Sequence, residues 1–331
     1  MIKKYSFYVL FLIILLISAA FVFENVYKHS QNNLILDKLF LINLNANNAI
    51  DQVKRIKIAF NGETFTLLED SDGKWVVLEK NKYPVNEQKV KELVFDLANL
   101  KVLEAKTAKP ENFAALQLED IEINKNITQI ILSDINNQEI DSIYIGKREF
   151  VASTNADYQA NIFVRKPKEN QVWLVAGKLA EEFSFKNLVK QPIISLDLAN
   201  VLQLELNKVN QPSKNFIKIA KDPNTKILNL LDISPRYKLK EQYVIDNIVQ
   251  QFAYLNYEDV VLNNVEAVPV LHGKVVTAND HINFELVYLN KNYYLKLDNN
   301  WLYKISDYAC QSLLINKADL LTEIIKKPKK Q

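Results

Sequence analysis

Residues 72–105 read DGKWVVLEKNKYPVNEQKVKELVFDLANLKVLEA, and the way this stretch divides decides the fold. Asp72-Gly73 is a tight-turn dipeptide of the kind that joins paired strands. Residues 75–79 have strand composition, and residues 81–86 hold a second turn around Pro84. Asn86 stands where a helix cap is needed, and Glu87 puts negative charge in the first helical turn, where the dipole favours it. Val90, Leu93, Val94, Leu97, Leu100 and Val102 then recur at helical spacing. The stretch therefore reads as turn, strand, turn and one amphipathic helix.

Working outward, residues 53–59 and 64–69 read as strands joined by Asn61-Gly62, a hairpin signal. Downstream, Lys109-Pro110 breaks the chain and residues 111–118 make a helical turn at most. Strands follow at 127–132, 140–145, 162–165 and 172–175, then a short helix at 178–185. Beyond Pro192 the pattern recurs. Strands at 201–206 and 216–220 lead through the turn Asp222-Pro223-Asn224 to a strand at 227–231. Pro235 marks another turn, and a helix is expected over 239–255. Strands at 274–277, 282–289, 293–297 and 301–305 precede a closing helix over 308–325.

A shift of 155 residues (245 minus 90) lays Val90 on Ile245, Leu93 on Ile248, Val94 on Val249, Leu97 on Phe252, Ala98 on Ala253 and Leu100 on Leu255. Trp173 and Trp301 each fall in the last strand of their half. The period is too long for a solenoid, so two related units are expected. Loops of hairpin length imply antiparallel pairing. The alternation of Ile282, Phe284, Leu286 and Tyr288 with Asn283 and Glu285 implies one wet sheet face. The expected fold is α+β: an N-terminal single transmembrane helix followed by two related units, each an antiparallel sheet covered by one long amphipathic helix. The expected segments are a signal anchor at 1–24, a juxtamembrane connector at 25–50, a first unit at 51–190, a second at 191–325 and a basic tail at 326–331. Leu34, Ile35, Leu39, Phe40 and Leu44 would dock the connector onto the first unit.

The 331 residues are 48% hydrophobic and 24% charged, which is the balance of a folded chain. A net charge of +2 supplies no bulk field for nucleic acid. Only Arg55, Arg148, Arg165 and Arg236 carry the guanidinium fork that phosphate recognition prefers. The lone Cys310 excludes an internal disulfide and reads as a buried thiol.

Residues 6–23 are 18 uncharged, mostly apolar residues, preceded by Lys3 and Lys4. The positive flank places the N-terminus in the cytoplasm and exports the rest. Ser18-Ala19-Ala20 offers small residues for signal-peptide cleavage, but Phe21, Val22 and Phe23 continue the apolar run past it. An uncleaved anchor is the reading adopted.

No residue is assigned to catalysis, cofactor binding or metal ligation. His29, His272 and His281 lack metal-ligand spacing. There is no nucleophile elbow, zinc-protease helix or phosphate-binding glycine loop, and five glycines could hardly build the last. The carboxylates Glu69, Asp70 and Asp72, or Glu181 and Glu182, could in principle hydrolyse glycosides, but each group reads as solvated turn or helix charge. Tyr254, Tyr257, Tyr288, Tyr293, Tyr294 and Tyr303 could form a carbohydrate or peptide platform; sheet packing explains them as well. Lys326, Lys327, Lys329 and Lys330 could touch anionic lipid, or form a solvated end.

Several stretches resemble the bacterial domain-of-unknown-function 4340 family: Asp72-Gly73-Lys74-Trp75, Tyr83-Pro84-Val85, residues 97–103 (LANLKVL), residues 110–116 (PENFAAL), Ile145-Gly146-Lys147, Phe163-Val164-Arg165 and residues 172–175 (VWLV). Lys38-Leu39-Phe40 fits the family's lead-in. The resemblance covers residues 38–185 well and the second half loosely. Gln117 stands where the family has glycine. The resemblance implies a membrane-anchored protein with an exported domain, associated with ABC-type transport components of the gliding-motility auxiliary type, and it carries no catalytic residues. The function expected is an extracytoplasmic accessory, scaffolding or binding protein of the bacterial inner membrane, with no enzyme activity, cofactor or nucleotide. The alternative is an exported carbohydrate- or peptide-binding protein or hydrolase. The membrane-extracted protein is expected to retain residues 1–20; an intact mass beginning at Phe21 would overturn the anchor.

Overall fold

The computed structural model describes residues 38–150, 160–210 and 215–324. It contains two compact units. The first takes the chain up to Val76 and then Glu87–Phe183; the second takes Val77–Asn86 and everything from Ser184 onward. The expected first unit, 51–190, therefore differs in three ways. It begins earlier, ends at Phe183, and lacks residues 77–86, which belong to the second unit.

In the first unit the strands are β1 (Arg55–Phe60), β2 (Glu63–Glu69), β3 (Trp75–Val77), β5 (Lys101–Ala105), β6 (Thr128–Ser133), β7 (Glu139–Phe150), β8 (Ala160–Arg165) and β9 (Val172–Gly177). Between β3 and β5 come β4 (Tyr83–Pro84), in the second unit's segment, and helix α1 (Glu87–Ala98). The sheet strands that belong to the first unit are ordered β3-β2-β1-β6-β7-β8-β9-β5. The second unit continues with β10 (Ile194–Ser195), β11 (Val201–Lys208), β12 (Ile217–Lys221), β13 (Leu228–Leu230) and β14 (Tyr237–Leu239). Then come α2 (Gln242–Ala253), β15 (Tyr254–Leu255), β16 (Asp259–Leu262), β17 (Val268–Thr277), β18 (His281–Leu289), β19 (Asn292–Lys296) and β20 (Trp301–Lys304). Helix α3 (Asp307–Leu313) and β21 (Leu321–Glu323) close the described chain. Its eight-stranded sheet runs β13-β12-β11-β17-β18-β19-β20-β16. Strand for strand, the two sheets have the same order.

The helices correspond as well. α1 and α2 are both 12 residues long and start 155 positions apart (242 minus 87). The buried set Val90, Leu93, Val94, Leu97 and Ala98 matches Ile245, Ile248, Val249, Phe252 and Ala253 one for one. The residue two beyond each helix accepts a backbone bond from a lead-in segment: Phe40 N–H to Leu100 O and Ile193 N–H to Leu255 O, both 2.8 Å. In the first unit that lead-in buries Phe40, Leu41 and Leu44, so the expected connector is part of the first core from residue 38. It is pinned by Asp141, 4% exposed, whose carboxylate pairs with Lys166 at 2.7 Å and accepts the Leu44 N–H at 3.4 Å.

The expected α+β architecture with long covering helices is corrected. The protein is mostly antiparallel sheet with short helices. A 12-residue helix is ~18 Å long, whereas eight strands at ~4.8 Å spacing span about 34 Å, so neither helix can cover a sheet. The expected helix residues Leu100 and Val102 lie beyond α1. Asn99 ends it, donating its side-chain and backbone N–H groups to Phe95 O at 2.8 and 3.1 Å, and Val102 belongs to β5, which pairs with β9. The helix expected from 239 starts at Gln242, because Glu241 is extended and residues 237–239 pair with residues 321–323. That pairing also replaces the end of the expected closing helix, which stops at Leu313 after starting on a Ser306 cap. The helix expected at 178–185 is absent; a single turn at Phe185–Leu188 takes its place. Among the described residues no helix is long and apolar enough to cross a membrane. The apolar stretch at 6–23, His29 and the basic tail at 326–331 lie outside them.

In the second unit the helix meets the sheet through one ring pair. Phe252 of α2 lies 4.3 Å, centroid to centroid, from Phe284 of β18. Phe284 in turn lies across Gly273, its cross-strand partner in β17, and a Cβ there would overlap the ring. Phe252 stops the ring from backing away, so overpacking cannot relax. Gly273→Ala is expected to cost about 1–3 kcal/mol, read as a lower urea midpoint at unchanged slope.

Candidate functional site

The carboxylates singled out in the sequence do not converge. Asp70 accepts the N–H groups of Asp72 and Lys74 at 2.9 Å each, which makes it the internal brace of its turn. Glu69 pairs with Lys54 at 2.5 Å. Asp222 braces the corresponding turn of the second unit, and the N–H groups of Thr225 and Asn224 hold its carboxyl below the ordinary range. Glu181 and Glu182 are exposed; Glu181 lines a groove of about 420 Å³ with Arg148. Arg148 is tied to the carbonyls of Leu179 and Ala180 at 3.1 and 2.5 Å. Among the described residues no group of three His, Cys, Asp or Glu is placed to hold a metal ion. Cys310 is buried, and burial first, then the Asp307 charge, pushes its thiol up to about 11, which leaves it protonated at neutral pH.

Four of the stretches that carry the family resemblance, residues 110–116, 145–147, 163–165 and 172–175, meet in one structural knot. Arg165, 2% exposed, lies between the rings of Phe113 and Tyr144 at 4.5 and 4.7 Å. It donates twice to Leu118 O, once to Glu169 O and once to Asp120 at 2.6 Å. Those bonds hold the 110–118 loop on β7–β9, where Leu116 O and Leu118 lie so close to Gly146 that no Cβ would fit. Gln117 takes the left-handed conformation, φ 58°, as the cap of the turn Phe113–Leu116. That explains glycine at this position in the resembling family, and it strains the glutamine here. Four of the five N–H groups of Arg165 are taken by protein oxygens, so the knot reads as scaffold.

Half of the expected tyrosine platform is core. Tyr257, Tyr294 and Tyr303 are buried, while Tyr254 and Tyr288 are exposed. The residue that sequence reading missed is Tyr83. Its hydroxyl lies 2.9 Å from that of Tyr257, and its ring meets Phe185, Tyr257, Trp301 and Tyr303 at 4.9–6.4 Å. Tyr257 also donates to Lys190 O, and Tyr303 accepts from Asn299, each at 3.1 Å.

Two further surface grooves stand out among the described residues. In the first unit, a groove of about 580 Å³ runs beside α1 over Trp75, Val90 and Val94, with Ile50 and Phe95 on its wall. Phe95 is 64% exposed on the helix side that should be polar; its counterpart 155 positions on is Gln250. The rim is charged. The Gln88 amide bond lowers the Glu92 carboxyl, and burial raises that of Asp96. In the second unit, a polar groove of about 550 Å³ crosses the sheet face turned away from α2.

Among known families, a model described as "Domain of unknown function (DUF4340)" matches residues 75–271. The match runs from β3 of the first unit to β17 of the second and so reaches further into the second half than the resemblance read from the sequence. No curated protein and no solved structure matches.

The tyrosine cluster sets an alkaline limit on stability. Burial raises the Tyr83, Tyr257 and Tyr303 hydroxyls, Tyr257 to about 12. An unfolded tyrosine ionises near ~10, so the folded state favours the neutral form. Its contribution is fully present below pH ~10 and is lost as pH rises towards 12. The urea midpoint is expected to fall over that interval, alongside tyrosinate absorbance, and Tyr257→Phe is expected to flatten the fall.

Proposed function

Because the chain belongs to the domain-of-unknown-function 4340 family, a membership that establishes kinship and no activity, we propose that it is a non-enzymatic accessory of the bacterial envelope. In this reading the apolar stretch at 6–23 holds it at the inner membrane, N-terminus inside. The two units then present a protein-docking surface to an ABC-type transport assembly on the periplasmic side. The membrane side of the reading rests on Lys3, Lys4 and the uncharged run that follows; the transport side rests on the sequence resemblance.

One observation supports docking over catalysis. Phe95 breaks the amphipathic pattern of α1, and it does so on the wall of the apolar groove over Trp75. A large aromatic on a wet helix face, beside a concave apolar floor with a charged rim, has the anatomy of an interface core. The carboxylates Glu69 and Asp70, by contrast, serve an ion pair and a turn.

Full-length protein at native expression, extracted in mild detergent, is expected to bring ABC-type transport subunits with it. Phe95→Gln, which installs the residue found in α2, is expected to release them while changing stability by no more than about 0.5 kcal/mol. Recovery of the wild-type chain alone would overturn the proposal.

A further inference from the structure

The groove beside α1 presents side chains, its backbone being spent elsewhere. On α1 the lining runs from Gln88 to Asp96, eight steps of ~1.5 Å, which is ~12 Å or about two helical turns. The N–H groups of residues 91–96 are taken up by the helix itself. Across from them, the N–H groups of Asp51, Val53, Lys54 and Glu69 are bonded at 2.9–3.3 Å to carbonyls of the same unit. Glu69 belongs to β2, which lies between β1 and β3. An extended peptide laid here would find no strand edge to pair with, and its own amide groups would face apolar surface. A helix arrives with those groups already bonded and offers an apolar stripe.

The floor is Val53, Trp75, Val90 and Val94, all buried, and Ile50 and Phe95 stand up from it, 39% and 64% exposed. The rim carries four carboxylates against two lysines. Glu69 is taken by Lys54 at 2.5 Å, and Glu92 by Lys89 at 3.4 Å. Asp51 and Asp96 make no ion pair among the described residues, and Lys91 is exposed. Asp96 is half-buried, and burial raises its carboxyl more than the Lys178 charge lowers it. That is the behaviour of a carboxylate short of a counter-ion. The rim is left with an acidic excess.

An apolar floor, a spent backbone and an acidic rim together define one kind of occupant. We infer that the groove takes a basic amphipathic helix of a partner protein. About two turns of that helix set large apolar side chains, at i, i+3 or i+4, and i+7, against Trp75 and Phe95. A Lys or Arg beside the stripe pairs with Asp96. The inference rests on the reading of this groove as a docking surface and names what docks there. An acidic helix would set like charges against Asp51 and Asp96. A flat lipid surface would not reach the floor of a concave groove.

The test uses the full chain in phosphatidylcholine nanodiscs, with empty nanodiscs as the lipid control. Fluorescence anisotropy is read with labelled peptides of about 15 residues. One is an alanine-based helix with a leucine stripe flanked by lysines, the second has glutamate for each lysine, and the third is the lysine peptide broken by central prolines. The lysine helix is expected to bind with a Kd of about 100 μM or below, and the other two at least ~10-fold more weakly. Phe95→Gln is expected to weaken the lysine helix at least ~10-fold, and Asp96→Asn to narrow its advantage over the glutamate helix. Equal binding of the lysine and glutamate helices, undiminished binding of the proline peptide, or binding no greater than that of empty nanodiscs would each overturn the inference. So would binding that survives Phe95→Gln, a charge preference unmoved by Asp96→Asn, or a dimer of the chain that Phe95→Gln abolishes. The docking reading is decided separately, by whether transport subunits are co-extracted and Phe95→Gln releases them.

Discussion

The hydrogen bond between the Tyr83 and Tyr257 hydroxyls, and the rings around it, make the second unit what it is. Residues 77–86 come from the stretch between β3 and α1, yet their contacts are those of the second unit. Tyr83 is the reason. Its ring fits among Phe185, Trp301 and Tyr303, and its hydroxyl, buried with theirs, needs a partner there. Lys80 adds an ion pair to Asp259 at 2.6 Å, and the Asn86 N–H bonds Leu188 O at 2.8 Å. A chain cut at Ser184 would lose this segment and leave Tyr257 without its neighbour. The second unit is therefore compact in space and discontinuous in sequence.

Around that constraint the two units repeat one plan. Both sheets share a strand order, and both have a three-turn helix with the same five buried positions and a lead-in bonded just beyond it. What differs lies outside the plan. The first unit adds the 110–118 loop and the Arg165 knot that fastens it. It also places Phe95 where the second has Gln250. The second adds the aromatic cluster around Tyr83 and Tyr257. The docking surface proposed on α1 falls on a residue that one unit has and the other lacks, as expected if a shared scaffold carries separate surface functions.

Much of the fold was legible in sequence, and the misses have physical causes. The strands at 127–132, 140–145, 162–165 and 172–175 stand close to β6–β9, because alternation and turn residues report local preference. The helices were read too long. Leu100 and Val102 continue a helical spacing, yet the chain turns at Asn99 and Val102 enters a sheet pairing with β9. The closing helix failed likewise, because residues 321–323 find β14, 82–86 positions away in sequence. Spacing cannot see a strand partner that distant. The site was less legible. Tyr83 was passed over as a turn residue, and half of the tyrosines noted for a platform were core. His272 looked isolated until β18 set Glu285 opposite it.

The sequence by itself determined the local order: turns at Asp70–Lys74 and Asp222–Ile227, the registers of apolar residues on α1 and α2, and family membership. These rest on near-neighbour chemistry, side chains bracing their own turns and periodicities that any chain segment carries with it. Only the tertiary structure decided which unit owns residues 77–86, why Gly273 must lack a side chain, and that Asn207, His272, Glu285 and Lys296 form a row. Each depends on groups far apart in the chain meeting at a few ångströms, and such a meeting is set by packing and strand register and not by spacing along the sequence.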